Sequence, residues 1–232
     1  MRLKSIITGL GSGLLSLPVF AEDGLEIIGQ PIADGKGFQP AATKLARDLQ
    51  WLDGLVLIII TAITVFVLGL LAFVIVRYNR KANPVPATFT HNSPVEVAWT
   101  IIPIVILVFI GAFSLPVLFD QQKIPEGEVN IKVTGYQWYW GYEYVDEGFE
   151  FESFLIGEGK VLTPEVEIEL QEAGYTRDQF LLATDTAVVV PVDKTVVMQV
   201  TGADVIHSWT IPAFGVKQDA VPGRLGQLWF KA

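Results

Sequence analysis

Hydrophobic residues are concentrated in two long runs in the first half of the chain. The runs Gly54 to Val76 and Val97 to Phe119 each contain 23 residues and no formal charge. About 20 apolar residues in an α-helix cross the hydrocarbon core of a bilayer, and the interior Pro103 and Gly111 are tolerated in such helices. Buried helices of a soluble protein are the alternative, but charges stand only at the edges of both runs. The pattern therefore predicts transmembrane helices at residues 54–76 and 97–119.

A shorter apolar run lies at the N-terminus. Residues 6–17 follow two basic residues and precede a small-residue pattern that ends at Ala21. This arrangement is typical of a secretory signal peptide, and twelve residues are too few to span a bilayer. We expect residues 1–21 to be a cleaved signal peptide and residues 22–53 to be an exported segment that precedes the first helix.

The loop between the two apolar runs is basic. It carries Arg77, Arg80 and Lys81, and its first acidic residue is Glu96 at its end. Because loops rich in lysine and arginine stay on the cytoplasmic side of a membrane, the loop of residues 77–96 is expected in the cytoplasm. Both ends of the mature chain would then lie outside.

The pattern changes after residue 119, where short segments rich in β-branched residues alternate with turn formers. These strand-like segments are residues 129–133, which lead into an aromatic run, residues 186–192 and residues 195–201. One helix is predicted among them, from Pro164 to Ala173, because Thr163 can cap it and proline suits its first position. Residues 120–232 are therefore expected to form an outer β-sandwich with one short helical insertion.

Six aromatic residues occupy the nine positions from Tyr136 to Tyr144. Five of them, including Trp138 and Trp140, recur at every second residue, so on a single β-strand their rings would share one face. Such a face is either the core of a sandwich or a surface for docking and passing electrons.

Charge is distributed unevenly along the chain. Residues 120–232 contain 18 acidic and 8 basic residues, whereas the preceding residues are nearly neutral. Solubility explains part of this excess, but a negative field also attracts a cationic partner and raises its association rate. Nucleic-acid binding is disfavoured by the same balance.

The residues that usually bind metals are scarce. The chain has no cysteine, and its two histidines are His91 and His207. The predicted topology places these histidines on opposite sides of the membrane, so they cannot form one site. Taken alone, a single histidine at the end of a strand is more often a hydrogen-bonded structural residue than a ligand.

Three motifs together resemble a known family. They are HNSPVEVAWTIIPIVIL, VTGYQWYWGYEY and DVIHSWTIPAFGVKQDAVPGR, and matching motifs extend from about Gln39 to Lys231. The chain resembles subunit II of haem-copper cytochrome c oxidase in its bacterial aa3 form. The resemblance implies an α+β membrane protein of the bacterial inner membrane, in which two helices pack on subunit I beside subunit III and carry a periplasmic cupredoxin-like sandwich.

The resemblance also assigns roles to individual residues. Family members accept electrons from cytochrome c and relay them through a dinuclear copper centre to haem a in subunit I. His207 matches a copper ligand, and Trp138 matches the tryptophan through which electrons enter. Glu96, which also has the spacing of a capping residue after Ser93, matches the entrance of a proton pathway into subunit I. The carboxylates expected to attract basic cytochrome c are Glu143, Glu152, Asp185, Asp204 and Asp219.

One departure from the family concerns the copper itself. The family's centre needs two bridging cysteines, a second histidine, a methionine and a glutamate carbonyl, from a segment some thirty residues after the HSW motif. This sequence contains none of them, since Met198 lies upstream and does not match. Because a delocalised copper pair depends on soft thiolates, the chain as given is not expected to bind it. We interpret the sequence as a truncated form of an ordinary subunit rather than a natural metal-free variant.

Two other classes of function stay open. A quinol oxidase subunit II shares the architecture without copper, but it usually has a lipidated cysteine and lacks the WYW and HSW motifs. A structural, membrane-anchored β domain explains the topology and leaves the three motifs unexplained. The preferred interpretation is an electron-accepting subunit that catalyses nothing alone, and it requires Trp138 and His207 to lie at the same end of the outer domain.

Overall fold

A computed structural model describes residues 27–32, 34–159 and 161–232. The signal peptide expected at residues 1–21 lies outside the described residues. The described elements are two long helices followed by a β domain with one helical insertion. The α+β class predicted from the sequence is confirmed.

The two apolar runs form the long helices. Helix α1 spans Lys44–Arg77 and helix α2 spans Ser93–Gln122. Both are long and apolar enough to cross a membrane. The 34 residues of α1 correspond to about 50 Å, which exceeds the hydrocarbon thickness. Helix α1 begins ten residues before the predicted span, and this N-terminal extension reaches the β domain.

The cap of α2 differs from the predicted one. Asn92, and not Ser93, is the capping residue, and its side chain accepts a hydrogen bond from the Val95 amide at 3.4 Å. Glu96 accepts a hydrogen bond from the Asn92 amide at 3.1 Å. The prediction of a serine cap was wrong because Ser93 already belongs to the helix and the extended backbone of Asn92 precedes it.

The β domain consists of two sheets. The larger one has the strand order β3-β2-β1-β4-β7, with β1 and β4 parallel and the other neighbours antiparallel. The smaller one pairs β5 with β6. The strands are β1 (Val129–Tyr136), β2 (Tyr139–Tyr144), β3 (Phe149–Phe154), β4 (Val196–Gly202), β5 (His207–Ile211), β6 (Val216–Ala220) and β7 (Gly226–Phe230).

The core lies between the two sheets. Alternate residues of the central strands, such as Ile131 on β1 and Met198 on β4, are fully buried and form one cluster with Trp209 of the smaller sheet. This alternation is the pattern of strands with one face on the core. The expected β-sandwich is confirmed.

The aromatic run does not form one strand. Strand β1 ends at Tyr136 and β2 begins at Tyr139, and these two residues pair directly across the turn. The prediction of five rings on one face was wrong because the turn reverses the chain in the middle of the run. Trp140, Tyr142 and Tyr144 face inwards, whereas Tyr136 and Tyr139 face outwards and stack on each other.

The segment of residues 186–192 is not a strand either. It is extended, and Val188 and Val190 pack against the core. Its backbone is held by a side chain, since the Tyr144 hydroxyl donates to the Val189 carbonyl at 2.7 Å and accepts from the Val189 amide at 3.0 Å. The tyrosine takes the place of a neighbouring strand, which explains why a strand-like sequence lacks sheet pairing here.

The predicted insertion is confirmed as helix α3, Pro164–Glu172, which lies between β3 and β4. The Thr163 side chain accepts a hydrogen bond from the Val166 amide, as predicted. Leu170 of this helix is buried with Ile156 and Ala183 in a small second cluster. The insertion therefore has its own small core beside the main sandwich.

The first helix is fixed to the β domain at its outer end. The Thr43 hydroxyl caps α1 by accepting from the Ala46 amide at 3.0 Å, and it donates to the Phe214 carbonyl at 2.7 Å. Gly215 has a φ of 71°, and a Cβ there would lie 2.7 Å from the Ala46 Cα. Helix and turn thus touch backbone to backbone, which only glycine permits.

The second helix has its own contact with the domain. The Trp229 indole on β7 donates to the Asp120 carbonyl near the end of α2 at 3.1 Å. The Lys44 ammonium lies 3.6 Å from the Asp120 carboxylate, which links the ends of the two helices. These contacts define a junction between the helix pair and the sandwich.

Candidate functional site at the tip of the β domain

The turn that carries Trp138 lies at the end of the β domain opposite to the junction. Trp138 is 84% exposed, although tryptophan is usually largely buried. The Gln137–Trp138 peptide bond is cis. On the outer face, the rings of Tyr136 and Tyr139 stack with centroids 4.6 Å apart, and Phe154 extends the stack at 4.5 Å from Tyr139. The tip therefore presents an exposed indole beside a three-ring stack.

His207 opens strand β5 and packs against the end of the same hairpin. Its ring contacts Trp140 edge-on, with centroids 5.9 Å apart. A Cβ on Gly135 would lie 2.8 Å from the His207 Cγ, so the imidazole rests on the β1 backbone where only glycine leaves room. The His207 side chain is 15% exposed. The expectation that His207 and Trp138 lie at one end of the domain agrees with this placement.

Asp204 joins the two parts of the tip. Its Oδ1 lies 2.7 Å from His207 Nε2, and its Oδ2 accepts from the Gln137 amide at 2.8 Å. The hydrogen bond with His207, assisted by the Val205 amide, lowers the pKa of Asp204 to about 2. Because the carboxylate is ionised it can only accept, so His207 Nε2 is the donor in this hydrogen bond.

Two other predicted carboxylates flank the ring stack. Asp185 accepts from the Phe154 amide at 2.8 Å, and Phe154 pairs with Tyr139 across the sheet. Desolvation raises the pKa of the Tyr139 hydroxyl, and the negative charge of Glu152 raises it further. Glu152 and Asp185 therefore lie close to the exposed aromatic rings, where their charges can act on a partner.

Of the remaining two carboxylates, Glu143 lies further along the larger sheet, whereas Asp219 pairs with Ser208, the residue next to His207. Glu143 forms an ion pair with Lys132 at 2.9 Å on the outer face of the larger sheet. Asp219 on β6 accepts from the Ser208 hydroxyl at 2.9 Å. The structure therefore brings Asp204, Glu152 and Asp185 together at the tip, and it leaves Glu143 partly neutralised by a lysine.

Sequence reasoning missed two features of this tip. It did not identify the ring stack, because the position of the turn decides which rings face outwards. It also did not identify the bonds from Asp204, although an aspartate three residues before a histidine at the end of a strand is a signal that local geometry could have used.

Comparison with known proteins decides the family. A family model for the periplasmic domain of cytochrome c oxidase subunit II matches residues 129–232, and a model for its transmembrane domain matches residues 31–117. The chain belongs to the cytochrome c oxidase subunit II family. The outer sandwich is thus the cupredoxin-like domain of subunit II, and the two helices are its transmembrane hairpin.

Individual relatives agree. Cytochrome c oxidase subunit 2 of Cereibacter sphaeroides is 62% identical, covering 100% of this chain and 80% of the relative. A probable cytochrome c oxidase subunit 2 of Rickettsia bellii is 41% identical, covering 98% of this chain and 77% of the relative. The crystal structure of the periplasmic domain of cytochrome oxidase subunit II from Bradyrhizobium japonicum is 45% identical over 47% of this chain and 67% of that chain, with a TM-score of 0.37.

Glu96, the predicted proton-pathway residue of this subunit II, is far from the tip. It lies at the start of α2, and the 30 residues of that helix span about 45 Å. Its carboxylate bonds the Asn92 amide, so its capping contact is present. Trp138 and Glu96 therefore lie at opposite ends of the molecule, with the helix pair between them.

The residues of the chain do not fit the dinuclear copper of the subunit II family. Within the described parts of the chain, three or more His, Cys, Asp or Glu residues are nowhere grouped so that they could hold a metal ion. His207 is one imidazole, and the whole sequence contains no cysteine thiolate. One nitrogen ligand cannot replace the soft bridging sulfurs that such a pair requires.

Proposed function

We propose that this subunit II receives electrons from cytochrome c at the tip of its periplasmic domain, within an oxidase that also contains subunits I and III. The observation that carries the proposal is the exposed Trp138, in a turn that Asp204 links to His207, with carboxylates nearby. An exposed indole beside aromatic rings offers a surface from which a partner can displace water when it binds. Oxygen is reduced in another chain, and this chain catalyses nothing alone.

Electrostatics supports a cationic partner. Residues 120–232 carry a net charge of −10, and Glu152, Asp185 and Asp204 concentrate part of it around the indole. Opposite charges accelerate the encounter of two proteins, and salt screens this effect. Basic cytochrome c is the donor that the family resemblance implies.

The onward path in the family runs through the dinuclear copper to haem a in subunit I. Of the ligands of that centre, the 232 residues include one match, the imidazole of His207. We therefore assign to the chain the docking of the donor and the tryptophan at which electrons enter, and no step through the metal.

Association with cytochrome c tests the docking role. We expect Glu152→Gln to lower the association rate about twofold to threefold at low ionic strength, and we expect the difference to vanish at about 0.5 M salt. Glu126→Gln is the matched control, because Glu126 is an exposed carboxylate before β1 at the membrane end of the domain. An association rate that does not depend on salt, or an equal effect of both variants, would remove the carboxylates at the tip from docking.

Trp138→Phe tests the role of the indole. In the assembled oxidase, this change is expected to slow electron uptake from cytochrome c roughly tenfold, which corresponds to about 1.4 kcal/mol in the barrier. Rapid-mixing spectroscopy of the cytochrome c haem measures the rate. Electron uptake at the unchanged rate would show that electrons enter elsewhere.

A further inference from the structure

The turn at the tip has few contacts of its own. Residues 137 and 138 connect β1 to β2, and both side chains are exposed. An exposed two-residue turn is free to move unless something outside the hairpin holds it. The orientation of Trp138 therefore depends on contacts from other segments.

The connection between β4 and β5 supplies such contacts. The Ala203 amide donates to the Gly135 carbonyl at 2.9 Å. One residue later along the connection, Asp204 Oδ2 accepts from the Gln137 amide at 2.8 Å. These two bonds fasten the connection to the hairpin, and the second one reaches the residue directly before Trp138.

The other oxygen of Asp204 points to a different segment. Asp204 Oδ1 bonds His207 Nε2 at 2.7 Å and accepts from the Val205 amide at 2.6 Å. Both oxygens of one carboxylate are thus engaged, one with the turn and one with strand β5. A carboxylate held at both oxygens has a fixed rotamer, and a fixed rotamer transmits the position of one segment to the other.

We infer that Asp204 is a positioning residue that couples the Trp138 turn to His207 and so sets the orientation of the exposed indole. This inference rests on the proposed function where it concerns docking. It changes the role of Asp204 there from a steering charge to a structural bridge. The bridge itself depends only on the described hydrogen bonds.

Two substitutions separate a bridge from a charge. Asp204→Asn removes the charge but keeps an oxygen that can accept from the Gln137 amide. Its NH2 group can donate to His207 Nε2 once the imidazole carries its proton on Nδ1, whereas the bond from the Val205 amide is lost. Asp204→Ala removes both the charge and the bonds. If Asp204 is only a charge, the two variants behave alike; if it is a bridge, they differ.

The first measurement is amide hydrogen exchange at Gln137, made by mass spectrometry on the full chain in detergent. We expect exchange to accelerate about tenfold in Asp204→Ala, because one hydrogen bond is lost, and to stay within about threefold of the unsubstituted chain in Asp204→Asn. Glu126→Ala is the control for loss of one negative charge. Equal exchange in the alanine variant and the unsubstituted chain would overturn the inference.

The second measurement reports on the indole. The chain is labelled with 5-fluorotryptophan, and the fluorine resonance of Trp138 is assigned by its loss in Trp138→Phe. We expect this resonance to shift or broaden in Asp204→Ala and to stay close to its original position in Asp204→Asn. Identical spectra for the alanine and asparagine variants would show that Asp204 does not orient the ring.

Neither readout uses cytochrome c, so the two proposals fail independently. Insensitivity of cytochrome c association to Glu152→Gln would contradict the proposed docking while both readouts still showed the bridge. Conversely, unchanged exchange and fluorine spectra would contradict the bridge and leave the docking charges in place.

Discussion

At the scale of single residues, two tyrosine hydroxyls hold together parts of the sandwich that strand pairing leaves apart. Tyr142 accepts a hydrogen bond from the buried Trp209 indole at 3.1 Å, which joins the two sheets. Tyr144 holds the extended backbone at Val189. Leaving a buried donor without a partner costs about 1–3 kcal/mol. Sequence periodicity left both tyrosines open between the core and a docking surface, and it could not show where their hydroxyls bind.

Glu128 gives a prediction about pH. Its carboxylate bonds the Lys194 ammonium at 2.8 Å and the Thr195 amide at 2.9 Å, and these bonds, that of Lys194 first, lower its pKa below 4.5. A lowered pKa in the folded state means that the stabilisation is fully present above the unfolded pKa and is lost as pH falls through the folded pKa. We expect the difference in Tm between the unsubstituted chain and Glu128→Gln to shrink as pH falls from about 6 to about 3.

Thermal unfolding of both proteins in detergent at several pH values measures this difference. Glu126→Gln, which removes a neighbouring exposed carboxylate, is the control. A difference in Tm that stays constant over the whole pH range would show that the ionised form of Glu128 does not stabilise the domain.

At the scale of elements, the sequence pattern predicted the type of each helix or strand better than the positions at which the chain turns. The two long helices, the insertion helix α3 and strand β4 follow from apolar runs, a threonine cap and β-branched residues. The hairpin inside the aromatic run did not, because its turn residues, Gln137 and Trp138, are not the glycine or asparagine that usually mark a two-residue turn. Asp204, which lies outside the hairpin, holds this turn by accepting from the Gln137 amide, and the local sequence does not indicate this contact.

Helix α2 gives a prediction about proton uptake. Glu96 caps the helix through the Asn92 amide, and a glutamine oxygen can accept the same bond. Glu96→Gln should therefore preserve assembly of the oxidase and the helix content, while proton uptake slows because the ionisable group is lost. Proton uptake by oxidase in lipid vesicles measures the effect. Unchanged turnover would leave the cap as the only role of Glu96.

At the scale of the whole molecule, family membership, two helices and an outer sandwich were predictable, whereas the grouping at the tip was not. The three motifs carry the first set because each is a contiguous run of sequence. The tip combines the β1–β2 turn, the β4–β5 connection and residues of β3, which are distant in sequence. Its carboxylates could be predicted from the sequence, but the fold was required to show that Glu143 lies further along the sheet, paired with Lys132.

The membrane topology is a prediction at this scale. The basic loop of residues 77–96 is expected in the cytoplasm and the sandwich in the periplasm. Since the chain has no cysteine, a single introduced cysteine gives an unambiguous label. A membrane-impermeant thiol reagent should label Glu147→Cys on intact cells, and it should label Ala82→Cys only after the cells are opened. The reverse pattern of labelling would invert the topology.

The junction of Thr43, Gly215, Asp120 and Trp229 has a consequence for how a partner meets the domain. A sandwich on a slack tether would sample a cone of directions, and a partner would select the productive one at each encounter. Bonds from both helices remove that freedom when the chain folds. The conformational entropy of orienting the domain is therefore lost once, on folding, and not each time a partner binds. A partner that binds at the tip would therefore find it already oriented.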